Sequence, residues 1–514
     1  MKSIILMVLS VFAFIIFSSI SVNSFADIDP MDDAQQYRSG GQDLDIVAFK
    51  KQLEAMEETI KKQQEMINSL KAKIETGEKV AEISNPTNME ENEIEQVIDS
   101  YLMKKETRKK MADAGLTRNP ASLQAYWDKG LRFESENGNF KLAIGGRIMN
   151  DWAWMTENKK LKDESGIGDL VDSTEFRRAR LYIAGSIYEN IGFKAQYDYE
   201  DGVADFKDVY IELKKIPYLG NFRVGHFKEP YSLEQLTSSK YISFMERSLT
   251  DDPFAPERNT GFMFHNHMLD KRATWAAGVF RNTDAFGDSD IADSSNEGQY
   301  SFTGRLTGLP WYAEKGRKLL HVGLGYSWQN AESNSVTFKT KPDINLAPDF
   351  VDTGDSLTDI TESYDLLGPE LAIVYGPFSL QAEYSFVGVD LKRSVDSDPD
   401  FSGFYVYGSY FITGENRGYK TANGTFSRVK PKSNFKWGES LGAIELLARY
   451  SELDLSDEAV NAGRLDTMTL GVNWYLNPNT RVMLNYVKAD PTLDSDGDDD
   501  GDADLLAMRF QIDF

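Results

Sequence analysis

The chain of 514 residues contains no cysteine and only four histidines. Without cysteine it can form neither disulfide bonds nor thiolate zinc sites, so an exported protein of this kind must be stabilised in another way. Basic residues are also in deficit, since 56 Lys and Arg stand against 81 Asp and Glu for a formal net charge of -25. Such acidity opposes an electrostatic grip on nucleic acid. We therefore expect neither a thiol enzyme nor a nucleic-acid partner.

Long apolar runs are scarce as well. A membrane-spanning helix needs about 20 apolar residues, and the only long apolar run covers residues 4–17. Lys2 precedes this run, and the small residues Ser24 and Ala26 follow it at the spacing that a signal peptidase requires. We therefore expect residues 1–26 to be an export signal that is removed, with an uncleaved anchor helix as the alternative. The scarcity does not exclude a membrane β-barrel, whose strands alternate between apolar and polar residues.

A heptad pattern follows the export signal within residues 44–76. Apolar residues recur every seven positions in two registers, and Glu, Lys and Gln fill most positions between them. The registers hold Ile46, Leu53, Ile60, Ile67 and Ile74, and Phe49, Met56, Gln63 and Leu70. This spacing predicts a self-associating coiled coil in which dimer and trimer stay open, with a lone amphipathic helix as the alternative. Residues 77–124 are expected to form a helical linker region.

From residue 125 to the C-terminus the apolar period changes from helical to two. About sixteen segments of roughly ten residues carry one apolar and one polar face, which is the number and length of strands in a large membrane barrel. Tight turns alternate with long polar connections such as 331–360 and 489–503, and Tyr and Trp recur at segment ends. The last segment ends in the aromatic Phe514. The pattern predicts an all-β, sixteen-stranded antiparallel transmembrane barrel over residues 125–514, with a soluble secreted β-protein as the alternative.

Nine stretches of this region resemble the phosphate-selective porin O and P family. They are FRRARLY at 176–182, GFKAQYD at 192–198, RVGHFKEPYSLE at 223–234, LTSSKY at 236–241, FMERSL at 244–249, FAPERN at 254–259, WAAGVF at 275–280, RVKPK at 428–432 and ARYS at 448–451. The resemblance is specific because several long sequence motifs occur in the same order as in the family. It implies a bacterial outer-membrane barrel, usually trimeric, whose long third loop folds inward and narrows the pore.

The sequence of the expected third loop agrees with an inward position. Between the predicted strands that end near residue 228 and start near residue 259, apolar and aromatic residues are frequent. They are Tyr231, Leu233, Leu236, Tyr241, Ile242, Phe244, Met245 and Phe254. A loop surrounded by water has no use for so many, so we expect it to pack against the inner wall.

Basic side chains are the candidate pore-lining and anion-binding groups. Strand alternation assigns most of them to the inner face, and the third loop supplies two more. The candidate set is Arg147, Arg178, Arg180, Arg223, Lys240, Arg247, Arg305 and Arg449. A guanidinium fork can replace the water around an oxyanion with paired hydrogen bonds. In the family that the chain resembles, an arginine ladder and inner lysines have this role, and Arg147, Arg178, Arg180 and Lys240 fall in matching words. The alternative is that the arginines pair with inner carboxylates and brace the wall.

Two further charge clusters bear on function. A basic patch at Arg428, Lys430 and Lys432 is expected on the periplasmic side, where cations would draw an anion through. Residues 490–504 contain eight Asp and are expected to form a solvated outer loop, which divalent ions could bridge to lipopolysaccharide. The calcium-like spacing in this loop has Ala507 where a bidentate Glu is required. We expect no resident metal and no cofactor.

Together these features predict a passive diffusion channel in the bacterial outer membrane rather than an enzyme. Its solutes would be small anions such as phosphate or pyrophosphate. It would contact outer-membrane lipid and lipopolysaccharide, assemble as a homotrimer, and carry its coiled coil in the periplasm. Two alternatives stay open: a general or cation-preferring porin, and a tether that joins the outer membrane to the cell wall through the coiled coil.

Overall fold

The computed structural model describes residues 123–164, 167–200, 202–289, 299–392, 397–457, 460–493 and 501–514. The predicted signal peptide (1–26), the coiled coil (44–76) and residues 77–122 of the predicted linker lie outside the described residues. Residues 123 and 124, which were expected at the end of the linker, belong to a β-strand.

The described chain is built mainly from β-strands. In chain order they are β1 Leu123–Trp127, β2 Leu131–Ser135, β3 Phe140–Glu157, β4 Ser173–Ile187, β5 Ile191–Asp198, β6 Asp205–Ile216, β7 Gly220–Lys228, β8 Arg258–Met268, β9 Ala273–Arg281, β10 Ser301–Ala313, β11 Lys318–Asn330, β12 Lys339–Thr340, β13 Val351–Asp352, β14 Thr361–Tyr375, β15 Phe378–Leu391, β16 Asp400–Phe411, β17 Gly418–Lys420, β18 Thr425–Ser427, β19 Ala443–Asp457, β20 Val460–Asn477, β21 Thr480–Thr492 and β22 Ala503–Asp513. Strands β12 and β13 pair only with each other, as do β17 and β18.

Sixteen of these strands form a closed antiparallel barrel. From β3 onward each long strand pairs with the next long strand along the chain, and β22 pairs with β3 from Ala503↔Glu157 to Asp513↔Arg147. Closure leaves no free edge in this ring, so the backbone groups of every long strand find partners on both sides. The predicted sixteen-stranded antiparallel barrel is confirmed.

Each barrel strand has one apolar and one polar face. On β3, Ile148 and Trp152 are 43% and 44% exposed, whereas the residues that precede them, Arg147 and Asp151, are 7% and 3% exposed. Because side chains alternate along a strand, the closed ring separates an apolar surface from a polar one. The alternation of apolar and polar residues in the sequence therefore predicts the two faces of this strand correctly.

A hairpin at the start of the described chain extends the sheet beyond the ring. Strand β1 pairs with β2, and β2 pairs with the first residues of β3, from Leu131↔Ile144 to Glu134↔Lys141. This stretch of β3 lies beyond the part that pairs with β22, so β2 continues the sheet past the C-terminal strand. The hairpin therefore lies beside the C-terminus of the chain.

The described helices are short. They are α1 Lys159–Glu164, α2 Leu233–Leu236 and α3 Asp251–Phe254, and single 3-10 turns occur at Glu314–Gly316 and Glu332–Asn334. In the described part of the chain, no helix has the length and apolar character needed to cross a membrane.

Three long connections pack against the polar face of the strands, and we name them by their residues. The 229–257 segment joins β7 to β8 and contains α2 and α3, the 331–360 segment joins β11 to β14, and the 412–442 segment joins β16 to β19. In the last of these, the carbonyl of Gly424 accepts a hydrogen bond of 2.9 Å from Arg305 of β10. All three segments therefore contact the polar face of the strands through side-chain hydrogen bonds rather than forming free loops.

The 331–360 segment differs from the long polar connection that its composition predicts. Phe338, Ile344, Phe350 and Leu357 are at most 3% exposed and share one apolar cluster with Phe254 of the 229–257 segment. Their apolar side chains are spaced among polar residues, so average composition hides them. Phe338 lies at the centre, with its ring centroid 5.6 Å from that of Phe254.

We predict that Phe338→Ala lowers the free energy of unfolding by about 3 to 5 kcal/mol, since it leaves a cavity between two packed segments. Urea titration of the detergent-solubilised protein, followed by tryptophan fluorescence, measures this change. The control is Phe302→Ala, because Phe302 is 43% exposed on the apolar face and its removal creates no enclosed cavity. Equal losses in the two variants would contradict a packing role for Phe338.

Candidate functional site

A polar cavity of about 280 Å³ lies between the 229–257 segment and strands β3 to β8, and we call it the basic cavity. Nine basic side chains and five carboxylates line it. The basic ones are Arg147, Arg177, Arg178, Arg180, Lys194, Lys207, Lys228, Arg247 and Arg258, and the acidic ones are Glu200, Asp208, Glu246, Asp252 and Glu257. An excess of positive charge in a partly enclosed, polar site favours the binding of anions.

The sequence-predicted site residues divide into two groups. Arg147, Arg178, Arg180 and Arg247 line the basic cavity together. The others, which are Arg223, Lys240, Arg305 and Arg449, lie elsewhere on the polar face or on the 229–257 segment. Strand alternation therefore predicts which arginines lie on the polar face but does not predict which of them share one site.

A β-bulge brings two consecutive arginines into the basic cavity. Between β3 and β4, the single residue Asn150 stands opposite two residues, Phe176 and Arg177. An extra residue of this kind interrupts the alternation of a strand. Arg177 and Arg178 therefore both line the cavity, whereas Phe176 is 58% exposed. Alternation assigned only Arg178 to the inside, which is why sequence reasoning missed Arg177.

Arg147 and Arg178 each have an N–H donor without a protein acceptor among the described residues. Arg147 Nη1 donates to the hydroxyl of Ser239 at 2.6 Å, and no carboxylate lies within ion-pair distance of it among the described residues. The Nε groups of Arg147 and Arg178 are buried and have no hydrogen-bond partner in the described part of the chain. Unpaired guanidinium donors are costly when buried, and an oxyanion that accepted their protons would remove that cost.

Glu246 of the 229–257 segment lies among three guanidinium groups. Its Oε1 and Oε2 accept hydrogen bonds of 3.2 and 3.3 Å from Arg177 and of 3.5 and 3.4 Å from Arg178. Arg509 also donates to Oε1, and it forms a paired contact of 2.7 and 2.6 Å with Asp151. Burial alone would raise the pKa of Glu246, but the three arginines outweigh it and hold the pKa well below its usual value. Glu246 is therefore a resident carboxylate at the edge of the basic cavity.

Four other basic residues of the cavity, three of them at or near strand ends, were also missed. Arg258 opens β8 and donates to Asp208 at 2.8 Å, and Lys194 of β5 binds the other oxygen of the same carboxylate. Lys207 and Lys228 lie near the start of β6 and the end of β7. Alternation along β5 could have found Lys194. The remaining three line the cavity because the 229–257 segment passes over them, which a strand pattern does not report.

Arg223 and Arg305 have fixed carboxylate partners. Arg223 donates to Glu212 Oε1 at 3.1 and 2.7 Å and lies 4.1 Å from the ring centroid of Tyr210. Arg305 makes a bidentate contact with Glu370, with both distances 2.7 Å. These pairs match the alternative in which inner arginines brace the wall.

Arg449 joins two segments to the wall. Its side chain is fully buried, its Nη2 lies 2.9 Å from Asp343 of the 331–360 segment, and its Nη1 donates to the carbonyl of Glu246 at 3.2 Å. It also lies 4.4 Å from the ring centroid of Phe244. Arg449 is therefore engaged by both segments and is not among the residues that line the basic cavity.

Side chains of the last strands hold the 229–257 segment by its backbone. The donors are Arg481 to the carbonyl of Ile242 at 2.8 Å, Asn473 to that of Ser243 at 2.7 Å, Arg509 to that of Met245 and Gln511 to that of Lys240 at 3.2 Å. Glu383 of β15 accepts the backbone N–H groups of Leu233 and Glu234 of the same segment, both at 2.8 Å.

Glycines in β11 and β14 make room for one anchor of the same segment. Tyr231 is 1% exposed and lies over Gly325 and Gly368. A Cβ atom at Gly368 would stand 2.7 Å from the hydroxyl oxygen of Tyr231, and one at Gly325 would stand 2.9 Å from its ring. The two glycines therefore permit the close approach of the ring to the strands.

Lys240 and Arg428, one residue of the predicted basic patch, line a second, narrow gap. Lys240 Nζ is 3.6 Å from Asp513 Oδ2, and Arg428 binds the same carboxylate and donates to the hydroxyl of Tyr241 at 3.3 Å. Lys430 and Lys432 of the patch are exposed, unlike the buried Arg428. Burial, with Arg147 and Arg428 nearby, lowers the pKa of Lys240 to about 7.

A larger cavity of about 520 Å³ adjoins the basic cavity, with Glu257 and Arg258 lining both. Amide side chains contribute much of its wall, together with Phe254 and Tyr364. The amide residues are Asn259, Asn282, Gln329 and Asn330. We call this space the amide cavity, and it offers neutral hydrogen-bonding groups next to a positively charged site.

We predict that Lys240 reacts with acetic anhydride along a pH profile whose midpoint is about 7, because the neutral amine is the nucleophile and burial disfavours the charged form. Quantitative mass spectrometry of the Lys240 peptide measures the profile. Arg428→Gln removes one neighbouring cation and is expected to move the midpoint upward. A midpoint near the ordinary lysine value of 10.5 in the unsubstituted protein would contradict this prediction.

Comparison with known proteins agrees with the barrel. The family model of the phosphate-selective porin O and P matches residues 143–514. Porin O of Pseudomonas aeruginosa is 26% identical over 437 residues, which cover 77% of this chain and 94% of that protein. An uncharacterized protein of Caulobacter vibrioides is 28% identical over 404 residues, covering 77% of this chain and 78% of that one.

Solved structures with a similar fold include an anion-selective porin from Comamonas acidovorans, with a TM-score of 0.47 and 12% identity over 73% of this chain and 100% of that chain. The outer-membrane channel DcaP of Acinetobacter baumannii has a TM-score of 0.46 and 12% identity over 73% and 98%. The family match covers most of the chain, and the resemblance expected from the sequence is confirmed. The chain therefore belongs to the phosphate-selective porin O and P family and is an outer-membrane channel protein.

Proposed function

We propose that this porin is a passive diffusion channel that prefers small anions, such as phosphate or pyrophosphate, over cations. The observation that carries the proposal is the basic cavity, where nine basic side chains face five carboxylates. Charge at the narrow part of a pore decides ion preference, because ions there exchange part of their hydration shell for protein groups.

We infer that the 229–257 segment lies inside the barrel and narrows the pore. The apolar strand faces suit lipid, so the polar faces would line the interior. The segment contacts Arg147 on β3, Arg178 on β4, Glu383 on β15 and Arg509 on β22. A segment outside the ring could not reach strands on so many sides at once. The apolar residues of this segment, which the sequence analysis expected to be packed, support the same arrangement.

A permeating anion would pass three successive sites. The amide cavity would admit the hydrated ion, the basic cavity would bind it, and Lys240 with Arg428 would receive it at the second gap. The exposed Lys430 and Lys432 would then attract it toward the periplasm. Several sites of low affinity allow faster permeation than one site of high affinity, because the ion must also dissociate.

The pairing of cations with carboxylates keeps binding moderate. Asp208 neutralises part of Lys194 and Arg258, and Glu246 does the same for Arg177 and Arg178. An arriving oxyanion would find guanidinium forks ready for paired hydrogen bonds but would compete with these carboxylates. Arg223, Arg305 and Arg449, which already hold carboxylates or segments, would position the walls rather than bind solute.

We further propose that the mature protein starts after residue 26, forms a homotrimer through the coiled coil of residues 44–76, and contacts lipopolysaccharide through its acidic outer loops. One solved porin with a similar fold, OmpT of Vibrio cholerae, is described in a trimer form. Deletion of residues 27–115 distinguishes the channel from a cell-wall tether. A tether predicts blistering of the outer membrane without loss of conductance.

We predict that reversal potentials of the purified protein in a planar bilayer, under a potassium chloride gradient, have the sign of an anion-preferring channel. Arg177→Gln and Arg178→Gln should each lower the permeability ratio of chloride to potassium about two- to tenfold, because each removes a cation from the cavity. Current in sodium phosphate tests the preferred solute in the same bilayer.

The matched control is Arg223→Gln, which removes the same charge from the polar face away from the basic cavity. It should leave the ratio near that of the unsubstituted protein. A preference of the unsubstituted channel for potassium over chloride would refute the anion proposal and favour the cation-preferring alternative.

A further inference from the structure

We propose that Glu246 is a tethered counter-ion: its carboxylate occupies the arginine groups of the basic cavity between permeation events, and a permeating anion displaces it. This inference deepens the proposed anion channel and depends on it. Glu246 would then set how tightly an anion is held and how quickly it leaves.

The geometry around Glu246 is that of a bound oxyanion. Both carboxylate oxygens accept from Arg177, at 3.2 and 3.3 Å, and from Arg178, at 3.5 and 3.4 Å, while Arg509 adds a third guanidinium. Guanidinium forks bind carboxylate and phosphate oxygens in the same way. A group of donors that holds a carboxylate from the protein can therefore hold one or more oxygens of a solute.

The 229–257 segment does not need the Glu246 side chain as its anchor. Arg449 and Arg509 hold the backbone carbonyls of Glu246 and Met245, and Asn473 and Arg481 hold two further carbonyls of the segment. The carboxylate could therefore move while the segment stays in place. Its side chain is 15% exposed and faces the basic cavity, so a solute can reach it.

Displacement of the carboxylate would free some arginines more than others. Arg509 would keep its paired contact with Asp151, and Arg177 would keep Glu200 at 3.6 Å. Arg178 has Glu246 as its only carboxylate partner among the described residues. The group released to the anion is therefore Arg178, together with part of Arg177, and both line the basic cavity.

A competing carboxylate lowers anion affinity and speeds release. Without it, the arginines would bind a permeating anion more tightly, and the current would saturate at a lower concentration. Glu246→Gln keeps the size of the side chain and removes the charge. We expect it to lower the half-saturating phosphate concentration of the single-channel current about tenfold and to lower the maximal current.

The test is a series of single-channel recordings of the full-length protein in planar bilayers, with sodium phosphate varied at constant pH and ionic strength. The matched control is Glu257→Gln, since Glu257 lines the same cavity but accepts no side-chain hydrogen bond from the arginines around Glu246 among the described contacts. It removes the same charge from the cavity without freeing a guanidinium fork, so it should lower the half-saturating concentration only about two- to threefold, clearly less than Glu246→Gln does. Heat-modifiable mobility in gels and circular dichroism confirm that each variant keeps the barrel.

The outcomes separate three explanations. An equal shift in the two variants would overturn the inference, because the cavity's overall charge would then be the cause. If Glu246→Gln instead raised the maximal current and left the half-saturating phosphate concentration unchanged, the inference would also be overturned. The role of Glu246 would then be to hold the 229–257 segment in place. If Glu246→Gln does not assemble, Glu246→Asp keeps the charge on a shorter side chain and should give a smaller shift in the same direction; no shift would overturn the inference. A cation-preferring unsubstituted channel would refute the proposed function itself.

Discussion

The position of the 229–257 segment depends on hydrogen bonds from buried side chains of β19 to β22 to its backbone carbonyls. A buried guanidinium without a partner costs several kcal/mol, and a loop buried without backbone partners is similarly unfavourable. Arg481 and Arg509 meet both requirements at once, because each donates to a carbonyl of the segment. The apolar side chains of the segment can then pack, and the basic cavity forms where the segment crosses β3 to β8.

Arginine consequently has two roles in this structure: some arginines brace the wall, and others are available to an anion. Arg305 makes a bidentate contact with Glu370, Arg449 lies between Asp343 and a backbone carbonyl, and neither lines the basic cavity. Arg147 has only the hydroxyl of Ser239 as an acceptor, and no carboxylate lies within ion-pair distance of it among the described residues. What separates a bracing arginine from one that can serve an anion is the number of protein acceptors nearby, and these come from segments distant in the sequence.

This explains how much the sequence could predict. A period of two depends on local geometry, so strand number, antiparallel order and the polar face of β3 were predictable. The alternation failed at Arg177, where a bulge adds a residue, and composition failed at 331–360, where Phe338 and its neighbours are buried in an apolar cluster. The convergence of Lys207, Lys228 and Arg258 depends on the path of the 229–257 segment, and no local pattern records such a path.

The net charge of -25 is compatible with an anion channel because charge acts locally. At physiological salt, exposed charges are screened beyond about 8 Å, whereas those in a partly enclosed cavity are screened much less. Away from the cavity, outer-face carboxylates near the ends of β19 and β20 have their own partners: Arg464 lies 2.9 Å from Glu452 and 3.1 Å from Asp466. An ion in the basic cavity responds mainly to the nine cations and five carboxylates around it. Under the proposed function, selectivity would therefore depend on where the 229–257 segment places a few charges, and the acidity of the whole chain would not determine it.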